Sequence, residues 1–313
     1  MKNLPKFRKM VATAPIDQYY VLFTLIITTI MQISFFFVAY SMQFDKVICW
    51  CPRDKVTDFA GCTNFILNAL VVFFIQQTYY PRQIMLTVLV LIWGVRLGSF
   101  LLARVLRRGK DDRFNEMRSN FIQFLGFWIF QIIWVWVVSL PVTLTNSYVI
   151  DTPINGLDIF GLLLWILGFV CEAVADNAKA SHNSDPEKRK TLLKTGLWKY
   201  SRHPNYFGEI LLWIGVFIIS CSGHAVNNAL GYFSISSPIL TFLLLMFVSG
   251  VPLAEQSSNK KFSGSQEYIE YKQSTSPLIP FPTNVYAVLP SFVKTVFFFE
   301  YGMYWKNFND DKN

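Results

Sequence analysis

Seven apolar blocks, each close to the roughly 20 residues a helix needs to cross a bilayer, constrain this chain more than any other feature. They fall at Tyr19–Met42, Phe59–Tyr79, Ile84–Leu106, Phe121–Leu144, Leu157–Asp176, Tyr206–Gly223 and Ile235–Leu253. Within hydrocarbon the backbone must satisfy its own N–H and C=O groups, which leaves helices or closed barrels. Barrel strands would show as short alternating segments, and the sequence has none. The expected fold is therefore all-α, a polytopic bundle of about seven transmembrane helices forming a single domain over 1–313. Only 15% of residues are charged, against about a quarter in soluble globular chains.

Charge asymmetry orients the chain. With seven spans, one side carries the loops Lys46–Lys55, Arg104–Arg118 and Lys179–Arg202 and the C-terminal tail. These hold 22 of the 28 Lys and Arg residues. The other side holds the N-terminus and Arg82, while Arg96 lies inside a span. Cationic loops stay on the cytosolic or matrix side, so the basic loops and the C-terminus are expected there. That fits the endoplasmic reticulum or the mitochondrial inner membrane. Met1–Asp17 is basic and precedes a full-length span with no A-x-A-like site near its end, so it reads as retained; a short import signal is the alternative. The net charge of +8 is explained by this topology, and no groove-reading motif points to nucleic acid.

Cys49, Cys51 and Cys62 then face a reducing compartment, where disulfides are not expected, and three thiols with no nearby His make a poor zinc set. No metal site is expected. Two polar stretches stand out, the inner-side loop 177–205 and the inner-side tail from 255 to 313. Within the tail, Ala287–Trp305 is apolar and aromatic but carries Pro290, Lys294 and Glu300, which suits an interfacial or partner-packing helix better than an eighth span.

A charge inside a span is costly and marks a functional candidate. Glu172 and Asp176 are one helical turn apart near the inner end of span five, and Glu209 sits in the first turn of span six. The plain structural reading is that these acids and Arg96 pair and lock the bundle. Arg96 fits that reading as well as any other, whereas the three acids together near the basic mouth favour a site.

The densest constellation is the run G-L-W-K-Y-S-R-H-P-N-Y-F-G-E, Gly196 to Glu209. Pro204 breaks the backbone, so Arg202 and His203 stand at a loop-to-helix junction where free N–H groups and the helix dipole favour an anion. Asn205 offers donor and acceptor, Tyr206 a stacking face or phenolic proton, Gly208 close backbone approach, and Glu209 lies on the same helix face as Asn205. The chemistry is that of an anionic ligand bearing a planar ring. A headgroup-anchored turn would explain Arg202 and Tyr206 but not His203, Asn205 and Glu209.

That run resembles the signature of the steroid 5-alpha-reductase-like membrane proteins, in particular a widespread, poorly characterised branch. Trp93-Gly94-Val95-Arg96-Leu97 is similar to its W-G-x-R-L element, and Asp112–Arg118 to its D-x-R-F-x-x-x-R loop. Phe169–Asp176 resembles its helix with an E-x-x-A-D ending, and Ser249–Glu255 and Tyr268–Pro280 resemble its C-terminal pattern. The resemblance implies an NADPH pocket at the inner face and hydride transfer to a carbon–carbon double bond of a lipid such as an enone. It assigns Arg202, His203, Asn205, Tyr206, Glu209 and Asp176 to the cofactor. Tyr268, Tyr271 and Lys272 fall on a tail closing over the nucleotide, and Arg113 and Arg118 at its phosphate end. Tyr206 and Glu172 are the candidate proton donors.

Departures from the pattern are also visible. Ala178 and His182 stand where the branch commonly has Gln and an aromatic residue, and Gln273, Ser274, Thr283 and Asn284 replace cationic or P-P-K positions. Two other readings follow. One is a catalytically degenerate member serving as a structural subunit of a membrane complex, consistent with the load of 30 Phe, 14 Tyr and 9 Trp. The other is an S-adenosylmethionine-dependent methyltransferase-like protein, because prenyl-cysteine carboxyl methyltransferases carry a similar R-H-P-x-Y-x-G turn.

Overall fold

A computed structural model describes residues 18–44, 55–108, 121–224 and 229–305. These residues are helical and contain no strand, as the apolar blocks require. Six helices are long and apolar enough to cross a membrane: α1 (Gln18–Phe44), α3 (Pro81–Arg108), α4 (Phe121–Ser147), α5 (Gly156–Ser184), α6 (Pro204–His224) and the broken run Phe233–Lys261. The second expected span is α2 (Lys55–Gln76), whose apolar part, Ala60–Gln76, is shorter than the others. Its C-terminal turn is tight: Gln77 and Tyr79 adopt left-handed φ values of 58° and 54° before Pro81 opens α3. Gln83 stabilises that turn, its Oε1 accepting from the Tyr80 backbone N–H and the Thr78 hydroxyl.

The run Phe233–Lys261 is not one continuous α-helix. It contains α7 (Ser236–Leu243), a π turn at Leu244–Val248, and α8 (Val251–Lys261) with Pro252 in its first turn. The π turn leaves Ser249 and Gly250 outside helical geometry, and an added Cβ at Gly250 would lie 2.4 Å from the Leu245 carbonyl oxygen. Beyond α8 come α9 (Gln266–Ser274), α10 (Thr283–Val288) and α11 (Ser291–Phe298), then a 3-10 turn at Gly302–Trp305. The apolar tail segment 287–305 thus folds as short helices, none long enough to span.

The chain divides into two compact units. The first contains residues 1–161 and 216–237. Within it α1 packs on α2 and α4, and α2 on α3 and α4. Its aromatic core joins Phe36 and Ala39 to Ala60, Phe124 and Trp128. One end of this unit is clasped by a buried ion pair: Arg82 donates to both oxygens of Asp158, at 2.8 and 2.7 Å. The same guanidinium reaches the Thr152 and Pro153 carbonyls, and the Ser222 hydroxyl donates to Asp158. Arg96 lies in this unit with its guanidinium 5.6 Å from the Phe100 ring.

The second unit contains residues 162–215 and 238–313. In it α5 and α6 approach so closely that only glycine fits at the crossing. An added Cβ at Gly168 would lie 2.5 Å from the Gly208 carbonyl oxygen, and one at Gly208 would lie 2.6 Å from the Glu172 nitrogen. Small residues at such crossings let membrane helices pack backbone to backbone.

Candidate functional site

Every described candidate in the turn and the tail falls in this second unit, and the sequence explains how the turn is held. Pro204 occupies the first position of α6, where no N–H is needed, so the chain enters the helix extended. The extended residues before it pair with the strand-like stretch after α9. Arg202 N–H donates to the Ser276 carbonyl at 2.8 Å, Phe281 N–H to Tyr200 at 3.0 Å, and the Ser201 hydroxyl to Leu278 at 2.7 Å. The Trp198 indole donates to the Ala175 carbonyl of α5, and the Tyr271 hydroxyl donates to the Trp198 carbonyl. Three elements therefore fix Arg202 and His203.

Both side chains point into a buried ionic cluster centred on Glu255. Arg202 Nε lies 3.0 Å from Glu255 Oε1, an ion pair off the line of a hydrogen bond, and His203 Nε2 lies 2.9 Å from the same oxygen. Lys272 donates to Glu255 Oε2 at 2.6 Å, to Asn259 Oδ1 at 3.0 Å and to the Tyr304 carbonyl at 2.8 Å. Arg202 also donates to Glu300 Oε1 and to the Lys272 carbonyl, each at 2.9 Å. Glu300 accepts in turn from the Tyr286 hydroxyl and the Trp305 indole. The Tyr268 hydroxyl donates to Asn259, while the Trp305 ring covers Lys272 at 4.5 Å. Two cations meet two carboxylates, which is how a low-dielectric interior tolerates charge.

Burial holds the His203 imidazole below the usual histidine range; Glu255 pulls the other way, and nearby Lys179 and Arg202 reinforce the lowering. A neutral ring suits the geometry. Its Nε2–H is assigned as donor to Glu255, leaving Nδ1 as a buried acceptor without a hydrogen-bond partner among the described residues.

A second group adjoins the first along α6. Asn205 Nδ2 donates to Asp176 Oδ1 at 3.2 Å, which turns the amide so that Oδ1 is a second buried acceptor lacking a hydrogen-bond donor. Tyr206 stacks on His203, ring centroids 5.4 Å apart and planes 15° from parallel. Glu172 is buried beneath Gly208, and Glu209 is half-buried on α6.

The structure thus brings together Arg202, His203, Lys272 and, through Asn259, Tyr268; it places Asn205, Asp176, Tyr206 and Glu172 beside them. Tyr271 reaches the loop at Trp198 rather than the ionic cluster. Arg113 and Arg118 lie outside the described residues, as do Cys49 and Cys51. Glu255, Asn259, Tyr286, Glu300, Tyr304 and Trp305 were not singled out from the sequence as site residues. Glu255 carried a signal, an acid closing the Ser249–Glu255 run directly after an apolar span. Glu300, one acid in an aromatic tail, carried a weaker one.

The orphan acceptors test whether NADPH fits. His203 Nδ1 and Asn205 Oδ1, two residues apart in sequence beside a stacked phenol ring, are both acceptors, the chemistry that the N–H donors of a planar carboxamide require. Arg202 and Lys272 are already balanced by Glu255 and Glu300, so their charges are committed within the cluster.

Six membrane-length apolar helices and a turn held over a buried ionic cluster define a polytopic helical membrane protein. More particularly, the chain belongs to DUF1295, a family described as proteins of unknown function, whose model matches residues 46–275. No curated protein and no solved structure matches the chain. Tyr286, Glu300, Tyr304 and Trp305 lie beyond the matched region.

Proposed function

We propose that the protein is a membrane-embedded, NADPH-dependent reductase of a carbon–carbon double bond in a lipid such as an enone. The reading rests on its resemblance to steroid 5-alpha-reductase-like proteins and is carried by one observation, the two buried acceptors His203 Nδ1 and Asn205 Oδ1 around the start of α6. When bound, NADPH supplies the hydride.

The chain's own residues then have separable tasks. Asp176 fixes the Asn205 amide, and Glu255 fixes the His203 tautomer, so both acceptors present themselves to a carboxamide. Arg202 and Lys272 hold the turn in shape instead of meeting phosphate. The phosphate end falls to Arg113 and Arg118, as the resemblance implies. Tyr206 and Glu172 are the proton donors that would complement hydride at the neighbouring carbon. The membrane is that of the endoplasmic reticulum or the mitochondrial inner membrane, with the turn on its cytosolic or matrix side.

The test is NADPH oxidation by the purified protein across a panel of lipid enones. Turnover that is lost in both His203→Ala and Asn205→Ala, with the bundle still folded, supports the reading. Turnover unchanged in either variant contradicts it.

A second reading has its own support. Glu300, from outside the family region, neutralises Arg202, as expected if the site has been retired and the protein serves as a structural subunit of a membrane complex. Purification in mild detergent separates the two. Bound NADPH supports the reductase, and a stable set of partner subunits without nucleotide supports the subunit. Bound S-adenosylmethionine would instead favour methyl transfer.

A further inference from the structure

The segment from Thr283 to Trp305 contains only two charged residues, and both are bonded to the protein's own groups. Lys294 Nζ donates to the Gln273 and Ala287 carbonyls at 3.1 and 3.2 Å and sits 4.7 Å from the Tyr286 ring. Glu300 is consumed by Arg202, Tyr286 and Trp305. Its exposed side chains are mainly apolar, with Val288 80% exposed, Phe292 72% and Phe297 62%, beside the uncharged Asn284, Ser291 and Thr295. This is the reverse of a water-facing helix, whose charges point out.

Its place along the spans indicates what covers those side chains. The Tyr304 hydroxyl donates to the Met246 carbonyl at 2.7 Å, Phe299 packs on Phe242 and Tyr301 on Phe247. Those partners belong to the membrane-length run Phe233–Lys261. Tyr304 also shares a core with Ile210, which lies about 9 Å inside α6 from Pro204 at the helical rise per residue. With Pro204 at the level of the headgroups, Tyr304 lies at the depth at which interfacial helices bury an apolar face, roughly 5–10 Å. On the same run Leu243 and Val248 also present exposed apolar side chains.

We propose that residues 283–305 form a bilayer-seated closing element. Acyl chains cover its outer side at Val288, Phe292 and Phe297, and its inner side carries Glu300 onto Arg202. The proposal does not depend on the reductase reading, since it concerns where the segment lies rather than what the turn binds.

Depth-dependent quenching tests it on the full chain in phosphatidylcholine vesicles. Val288→Cys, Phe292→Cys and Phe297→Cys, each labelled with an environment-sensitive fluorophore, should lose emission to a nitroxide on the upper acyl chain and resist aqueous iodide. All three sites are exposed, so labelling leaves the core intact. Quenching by iodide without quenching by the nitroxide would place the segment in water and overturn the proposal. Insensitivity to both would show that a protein surface covers it, and would overturn it equally. A second arm reads the inner side: Glu300→Gln should make Lys272 reactive to a small amine-directed reagent, whereas unchanged protection would show that Glu300 does not hold the closure.

Discussion

Arg202 and Glu300 are 98 positions apart in the chain, yet the guanidinium donates to the carboxylate at 2.9 Å in a largely buried site. The contact joins the most motif-rich turn of the sequence to a segment outside the region shared with the family. Its partner pair, Arg202 with Glu255, is buried to 3% side-chain exposure on both sides.

Removing Glu255 should therefore be costly. Glu255→Ala strands Arg202 and Lys272 without their common carboxylate, and breaking a buried pair in this way costs about 3–5 kcal/mol. Thermal unfolding in detergent should show a large drop for Glu255→Ala. Lys190→Ala, which breaks the exposed pair with Glu187, should leave the transition where it is.

Acidification should weaken the folded state through His203. Its folded pKa lies below the ordinary 6.5, so the unfolded chain takes up a proton first as pH falls. The stability this group contributes is complete above that ordinary value and is lost as pH drops through it toward the folded one. Unfolding measured between neutral and mildly acidic pH should show this loss, and His203→Gln should flatten it. An identical slope in the variant would assign the dependence to other groups.

The α5–α6 crossing predicts a steric effect. Gly208→Ala places a methyl against the Glu172 backbone, and overpacking of this kind costs about 1–3 kcal/mol. Gly264→Ala makes a useful contrast. It meets open space, but its φ of 75° strains any side chain, so its cost should be local and leave α5 and α6 in place. Cross-linking of cysteines placed on α5 and α6 should change only for Gly208→Ala.

The clasp in the first unit should matter to folding and not to the turn. Asp158→Ala leaves the Arg82 guanidinium buried beside the Thr152 and Pro153 carbonyls without its carboxylate. Unfolding should occur at lower temperature, by about 3–5 kcal/mol of stability, with ligand affinity at the Arg202–Glu209 turn unchanged in the fraction that remains folded.

Much of this architecture was legible because membrane-length apolar runs leave few alternatives. Six of the seven expected spans are helical runs of membrane length, the second is shorter and the seventh is broken by a π turn, while Pro204 and Pro81 mark two helix starts. The π turn at Leu244–Val248 was not legible, because nothing in the apolar run interrupts its period before Gly250. In the tail, Pro290 separates two short helices, Thr283–Val288 and Ser291–Phe298. What local sequence could not give was pairing across the chain. Arg202 and His203 read as two groups waiting for an anion, and that anion is supplied by Glu255 and Glu300, 53 and 98 residues from Arg202. Asn205 and Asp176 were both named, but their mutual hydrogen bond appears only once α5 and α6 cross at Gly168 and Gly208.

The central claim is that the turn at the start of α6 receives the carboxamide end of NADPH. Equilibrium titration of the purified protein with NADPH, followed by cofactor fluorescence, tests it most directly. Saturable binding by the native chain is expected to disappear in Asn205→Leu, a variant keeping volume while removing the orphan acceptor, with thermal unfolding little changed. Saturable binding with the same affinity in native and variant protein, or none in the native chain, would contradict it.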